Sequence, residues 1–98
     1  MLTREEVLQT LERERASLRG LGVRRLGLFG SFARGSANPE SDLDFVIDFQ
    51  PRTFDRYMDL KLLLERLFGR PVDLVLADAI KPRLRQAILG EAVYAQGL

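Results

Sequence analysis

The sequence predicts an α+β fold, a small mixed β-sheet of three to four strands flanked by helices in the order αβ(loop)βαβα. Three features carry this. Short runs rich in Val, Leu, Ile and Phe occur at 23–29, 42–49 and 72–77, each bounded by glycine, proline or polar turn residues. Apolar residues recur at helical spacing before the first run and after the second. Between the second and third runs lie roughly 22 residues that contain a helix, the connection that two parallel strands require.

Taken in order, Thr3 and Glu6 make a capping box, and Val7, Leu8, Leu11 and Leu18 then predict one helix ending at Gly20 and Gly22. Val23 to Phe29 reads as a strand closed by a tight turn at Gly30. Gly35 to Ser41 reads as a loop because Gly, Ser, Asn and Pro follow one another closely. Asp42 to Phe49 alternates as a second strand, with Leu43, Phe45, Ile47 and Phe49 on one face and Asp42, Asp44, Val46 and Asp48 on the other. After Pro51 and Arg52, a helix carries Tyr57, Leu60, Leu63, Leu64, Leu67 and Phe68 to a stop at Gly69. Val72 to Ala77 is the third strand. Pro82 opens a last helix that runs to Gly90, and Glu91 to Ala95 suits a short edge strand.

A chain of 98 residues is expected to form one domain over 1–98, because a second core would need roughly another 50 to 100 residues. Its 46% hydrophobic and 30% charged residues lie in the ordinary globular range. No apolar run approaches the roughly 18 to 20 residues of a bilayer span, and the N-terminus has no signal-peptide core, so a cytoplasmic location and no membrane partner are expected. The net charge of +1 gives little support to nucleic acid as a main partner. With no Cys, disulfides, thiolate nucleophiles and Cys-bound zinc are excluded, and with no His the commonest general base and the commonest transition-metal ligand are missing. Carboxylates, hydroxyls, Arg and Lys remain, and carboxylate oxygens suit hard cations such as Mg2+ or Mn2+.

The informative stretch is Gly30-Ser31-Phe32-Ala33-Arg34-Gly35 followed, after a polar loop, by Ser41-Asp42-Leu43-Asp44-Phe45-Val46-Ile47-Asp48. Residues i and i+2 of a strand share a face about 6 to 7 Å apart, so Asp42 and Asp44 project two negative charges side by side. A bound divalent metal is the direct remedy for that repulsion. The Gly30-Ser31 turn offers backbone N–H groups and a hydroxyl suited to phosphate oxygens. Asp73, flanked by Val72 and Leu74, completes a carboxylate triad if the third strand lies beside the second. Arg34 is placed either to clamp a phosphate or to pair with a neighbouring acid. Asp48 reads as a solvated end and Asp78 as a helix N-cap.

Gly30-Ser31, ten residues and then Asp42-x-Asp44 resemble the signature of the polymerase-beta-type nucleotidyltransferase superfamily. The Gly-Ser-Phe-Ala-Arg-Gly form, the Val-Ile-Asp-Phe ending and the short chain resemble its minimal nucleotidyltransferases in particular. The resemblance implies a polymerase-beta-like nucleotidyltransferase fold, with Asp42, Asp44 and Asp73 as catalytic and metal-holding carboxylates for Mg2+ or Mn2+, two ions. It further implies that Gly30, Ser31 and Arg34 bind the nucleotide, with ATP as donor.

The resemblance also implies a separate helical HEPN-type protein as partner. In that setting the nucleotidyltransferase is the antitoxin of a toxin–antitoxin system and transfers AMP to a Tyr of the toxin. Leu84, Ile88 and Val93 are the first apolar positions to expect at such a contact. Two alternatives stand beside this reading. One is a catalytically silent antitoxin that neutralises its partner by complex formation; the other is a sugar transferase using Asp-x-Asp, for which the chain is short of a donor domain.

Overall fold

The structure, a computed structural model, describes residues 2–98. Helix α1 (Arg4–Arg13) starts at Thr3, whose hydroxyl accepts from the Glu6 amide while the Glu6 carboxylate accepts from the Thr3 amide. The single helix expected here is two. Glu14, at φ −95° and ψ 11°, bends the chain before α2 (Arg15–Gly20), yet Val7, Leu11 and Leu18 are all turned fully inward. Strand β1 (Val23–Phe29), a short helix α3 (Gly30–Arg34) and strand β2 (Leu43–Phe49) follow. Then come α4 (Phe54–Phe68), β3 (Val72–Leu76), a 3-10 turn (Ala77–Ala79), α5 (Pro82–Glu91) and β4 (Val93–Tyr94).

The sheet order is β3-β2-β1-β4. Strand β1 runs antiparallel to β2 and β4, while β2 and β3 are parallel, as the helical crossover α4 demands. The sheet is therefore mixed and four-stranded.

The predicted inner face of β2 holds: Leu43, Phe45, Ile47 and Phe49 are buried against Val7, Leu11, Leu18, Leu60 and Leu64. Each such side chain contributes about 1.5–3 kcal/mol of burial, which offsets the cost of gathering carboxylates on the opposite face. Helix α4 is capped by Thr53, whose hydroxyl accepts from the Arg56 amide, and ends at Gly69 in the left-handed region at φ 64°. The Tyr57 hydroxyl donates to the Leu74 carbonyl at 2.7 Å and Glu65 accepts from the Val72 amide at 3.1 Å, so the helix fixes β3 at two points.

Helix α5 buries none of its residues. Leu84 on it is 46% exposed, whereas Ile88 and Val93 are half-buried; Phe54 and Leu62, not singled out from sequence, are more exposed at 75% and 54%. No helix among the described residues is long and apolar enough to cross a membrane.

Candidate active site

The parallel register pairs Asp44 with Asp73, and Leu43 with Val72. Register partners on adjacent strands point to one face about 4.8 Å apart, so Asp73 stands beside Asp44, the adjacency on which the expected triad depended. Asp42 lies one residue before β2 and is exposed, Asp44 is half-buried, and Asp73 is exposed. Burial, above all, raises the Asp44 pKa, and the negative charges of Asp73 and Asp42 push it in the same direction; Arg34 opposes them and Glu91 adds to them. This is a cluster short of positive charge.

Strand β1 delivers the glycine turn to the same carboxylate, since Phe29 is the register partner of Asp44. Gly30 follows at φ 76°, and a Cβ placed on it would run into Asp44 Oδ2 and come within 3.0 Å of Asp44 Cγ. The requirement for glycine thus comes from the aspartate as well as from any phosphate. Ser31 is half-buried at the start of α3, and the buried Phe32 and Ala33 anchor the turn. Arg4 donates through Nη1 to the Ala33 carbonyl at 3.0 Å, and the Ser36 amide donates to the Ser31 carbonyl at 2.9 Å. The loop before β2 is braced by Asn38, whose side chain accepts from the Glu40 amide at 2.9 Å, and by Ser41, whose hydroxyl accepts from the Asn38 amide at 3.0 Å.

Two residues at the site were not legible in sequence. Glu91, expected in an edge strand, is instead the last residue of α5. Its Oε1 accepts from the Gly30 amide at 2.7 Å, and both its oxygens lie 3.2 Å from Arg34 Nη1. Arg34 is therefore paired with an acid. Arg70 donates through Nη1 to the Ser41 carbonyl at 3.2 Å and lies 5.0 Å over the Phe32 ring, joining the ends of three site segments; its buried Nε has no partner among the described residues. No spacing rule marks either residue, because both contacts are made across the tertiary fold.

Asp48 and Asp78 stand apart from the cluster. Asp78 is not the expected N-cap, since Lys81 occupies that position and Asp78 lies in the 3-10 turn. Its carboxylate binds Arg52 at 2.5 Å, which holds its pKa below the usual carboxylate range; Arg52 also lies 3.7 Å from Asp48.

Among the described residues no three His, Cys, Asp or Glu side chains are gathered to hold an ion unaided. Mg2+ commonly takes one or two carboxylates, several waters and the phosphates of its substrate, so an all-protein cage is not needed. The donor set fits a hard cation: all oxygen, anionic, and carrying an Asp44 whose ionisation the surroundings oppose.

With this geometry in hand, the family described as "Nucleotidyltransferase domain" matches residues 8–95. The chain belongs to the nucleotidyltransferase domain family. As a nucleotidyltransferase it is similar over nearly its whole length to the protein adenylyltransferase MntA of Thermococcus cleftensis, 38% identical over 96% of this chain and 97% of that one. A solved structure described as a minimal nucleotidyltransferase superposes with a TM-score of 0.81 at 38% identity, covering 94% of this chain and 95% of the other. A complex of a tri-AMPylated HEPN toxin with its MNT antitoxin from Shewanella oneidensis shares the fold at a TM-score of 0.64 and 20% identity, over 93% and 73%. The nucleotidyltransferase fold that the family resemblance implied is thereby established.

Proposed function

We propose that this nucleotidyltransferase transfers AMP from ATP to a Tyr hydroxyl of a separate helical HEPN-type toxin and so acts as its antitoxin. The reading places Mg2+ or Mn2+, two ions, at Asp42 and Asp44, with Asp73 completing the set, in the cytoplasm where ATP and the toxin meet. The observation that carries it is the Asp44–Asp73 pairing across the parallel ladder, with Gly30 pressed on the same carboxylate. The relative named a protein adenylyltransferase supports AMP as the transferred group, and the AMPylated toxin complex supports the partner class.

The acceptor oxygen forms a bond to the α-phosphorus, the bond from that phosphorus to the bridging oxygen of pyrophosphate breaks, and pyrophosphate leaves with the electron pair. A divalent cation held by Asp42, Asp44 and Asp73 would supply charge neutralisation at the phosphates and would lower the pKa of the attacking hydroxyl. Ser31, the Gly30 turn and Arg34 hold the oxygens of the departing pyrophosphate. Asp73, exposed on the edge strand beside Asp44, is the group that an incoming acceptor reaches, and it receives the hydroxyl proton.

Incubating the chain with labelled ATP, Mg2+ and a helical HEPN-type protein from the same genome should place the label on a Tyr of that protein. A stable complex with no label transferred would replace this reading by the silent antitoxin. Asp73→Ala should lower turnover by about 10^2- to 10^4-fold, the scale of a general base, while leaving ATP affinity within about threefold. Transfer at the wild-type rate would make Asp73 an ordinary strand residue.

A further inference from the structure

We propose that Glu91 is a positioning residue for the donor-phosphate site, pinning the Gly30 amide and presenting Arg34 to the triphosphate. The inference rests on the reading of the site given above. An exposed ion pair on its own contributes about 0–1 kcal/mol and signifies little, but this contact is of another kind. Glu91 Oε1 takes a backbone amide at 2.7 Å from a residue 61 positions away, at the glycine whose Cα lies against Asp44. Such a charge-assisted bond fixes the Phe29–Gly30 peptide plane and hence the start of the Ser31 turn.

The placement of the carboxylate is fixed from behind. Helix α5 has no fully buried residue and packs against β1 and α3 with only Ile88 and Leu89 of its apolar side chains half-buried, so core packing alone holds it weakly. Its end is instead held by β4, in which Val93 pairs with Leu28 and Tyr94 with Gly27, and by the Ala92 amide donating to the Ile88 carbonyl at 3.1 Å. Glu91 therefore projects from a corner tied to the same strand that delivers Gly30.

Arg34 meets both carboxylate oxygens through Nη1, while its Nε and Nη2 make no hydrogen bond among the described residues, and its side chain is 55% exposed. A guanidinium has five donors in a rigid fork, so one anchored at Nη1 has the others set in a fixed direction. The Glu91–Arg34 pair carries no net charge, and a phosphate can add to the free edge without displacing the carboxylate.

A competing possibility is that Glu91 occupies the phosphate's own place. The two differ in sign: removing a positioning group weakens nucleotide binding, and removing a plug strengthens it.

The test is calorimetric titration of the full chain with a non-hydrolysable ATP analogue and Mg2+, for wild type, Glu91→Gln, Glu91→Ala, Arg34→Ala and the Arg34→Ala/Glu91→Ala double variant. Glu91→Ala should weaken binding roughly 10- to 100-fold, the scale of a charge-assisted hydrogen bond. Glu91→Gln, which keeps an oxygen for the Gly30 amide but loses the charge, should fall between it and wild type. The double variant should lose less affinity than the two single losses together, because part of the Glu91 effect runs through Arg34, and more than Arg34→Ala alone, because the Gly30 contact is lost as well. The Gly30 amide resonance, followed by NMR, should lose its carboxylate-induced shift in Glu91→Ala and keep part of it in Glu91→Gln.

Equal or tighter binding by Glu91→Ala overturns the proposal, as does full additivity with Arg34→Ala. If Glu91→Ala does not fold, Glu91→Gln decides, and wild-type affinity in it is the overturning result. Wild type that binds no nucleotide overturns the reading of the site itself, and this inference with it; an effect absent only in the Glu91 variants overturns this inference alone.

Discussion

Changing Asp42 and Asp44 together to Asn is expected to lower AMP transfer by at least about 10^3-fold, the scale of losing a group that stabilises charge in the transition state. Nucleotide-dependent Mg2+ binding should be lost with it, since two neutral amides are poor ligands for a hard cation. The electrostatics add a second, opposite effect on stability. Because Asp44 has a raised pKa, first from burial and then from Asp73 and Asp42, its ionisation opposes folding. The stability associated with protonated Asp44 is fully present below the ordinary carboxylate range and is lost as pH rises through the raised value. In metal-free solution Asp44→Asn should therefore melt above wild type at neutral pH, with the difference closing in acid. Thermal melts across pH, with and without Mg2+ and the ATP analogue, read both effects. Equal metal binding by wild type and the double variant, or an Asp44→Asn advantage that grows in acid, would remove the metal argument.

Gly30→Val is expected to damage both fold and function. At φ 76° any L side chain costs about 1–2 kcal/mol, and the added Cβ also runs into the Asp44 carboxylate. A melting temperature lower by roughly 10 °C follows for a chain of this size. Transfer should fall at least about 100-fold, because Asp44 has to rotate away from the position that Phe29 and Asp73 define. The sequence alone motivates glycine through close phosphate approach and predicts weakened ATP binding with the fold intact. The structure adds the aspartate and with it the loss of stability. Adding Asp44→Ala to Gly30→Val should recover part of the lost stability, a non-additivity expected of groups in contact. Wild-type melting together with wild-type ATP affinity in Gly30→Val would show the close approach to be wrong.

What was legible in the sequence follows from the range of each signal. The alternation of Leu43, Phe45, Ile47 and Phe49 against Asp42, Asp44 and Asp48 is local, and it gave both the core face and the carboxylate face. The placing of Asp73 beside Asp44 needed one further step, the parallel crossover implied by the α4 pattern, and the register bears it out. The bend at Glu14 was hidden because Leu11 and Leu18 keep one face across it. Glu91 was hidden because Gly90, read as the stop of the last helix, lies inside α5, and because its partner is 61 residues away. Arg34 stood open between phosphate and acid, and the structure places it on the acid, with two of its nitrogens making no hydrogen bond among the described residues.

The parallel pairing of β2 with β3 also couples correct folding to the presence of the site. A slip of one residue would turn Asp73 inward among Phe45, Leu60 and Leu64 and push Val72 and Leu74, now 3% and 4% exposed, into water. The burial that selects the register is thus the same burial that orients the third aspartate, so a misaligned yet folded chain with a dismantled site is disfavoured. Asp73 itself is exposed and forms no part of the packed core in the native register. A neutral residue at that exposed position should therefore cost little in folding, so a variant lacking the chemistry proposed for Asp73 is expected to keep its shape.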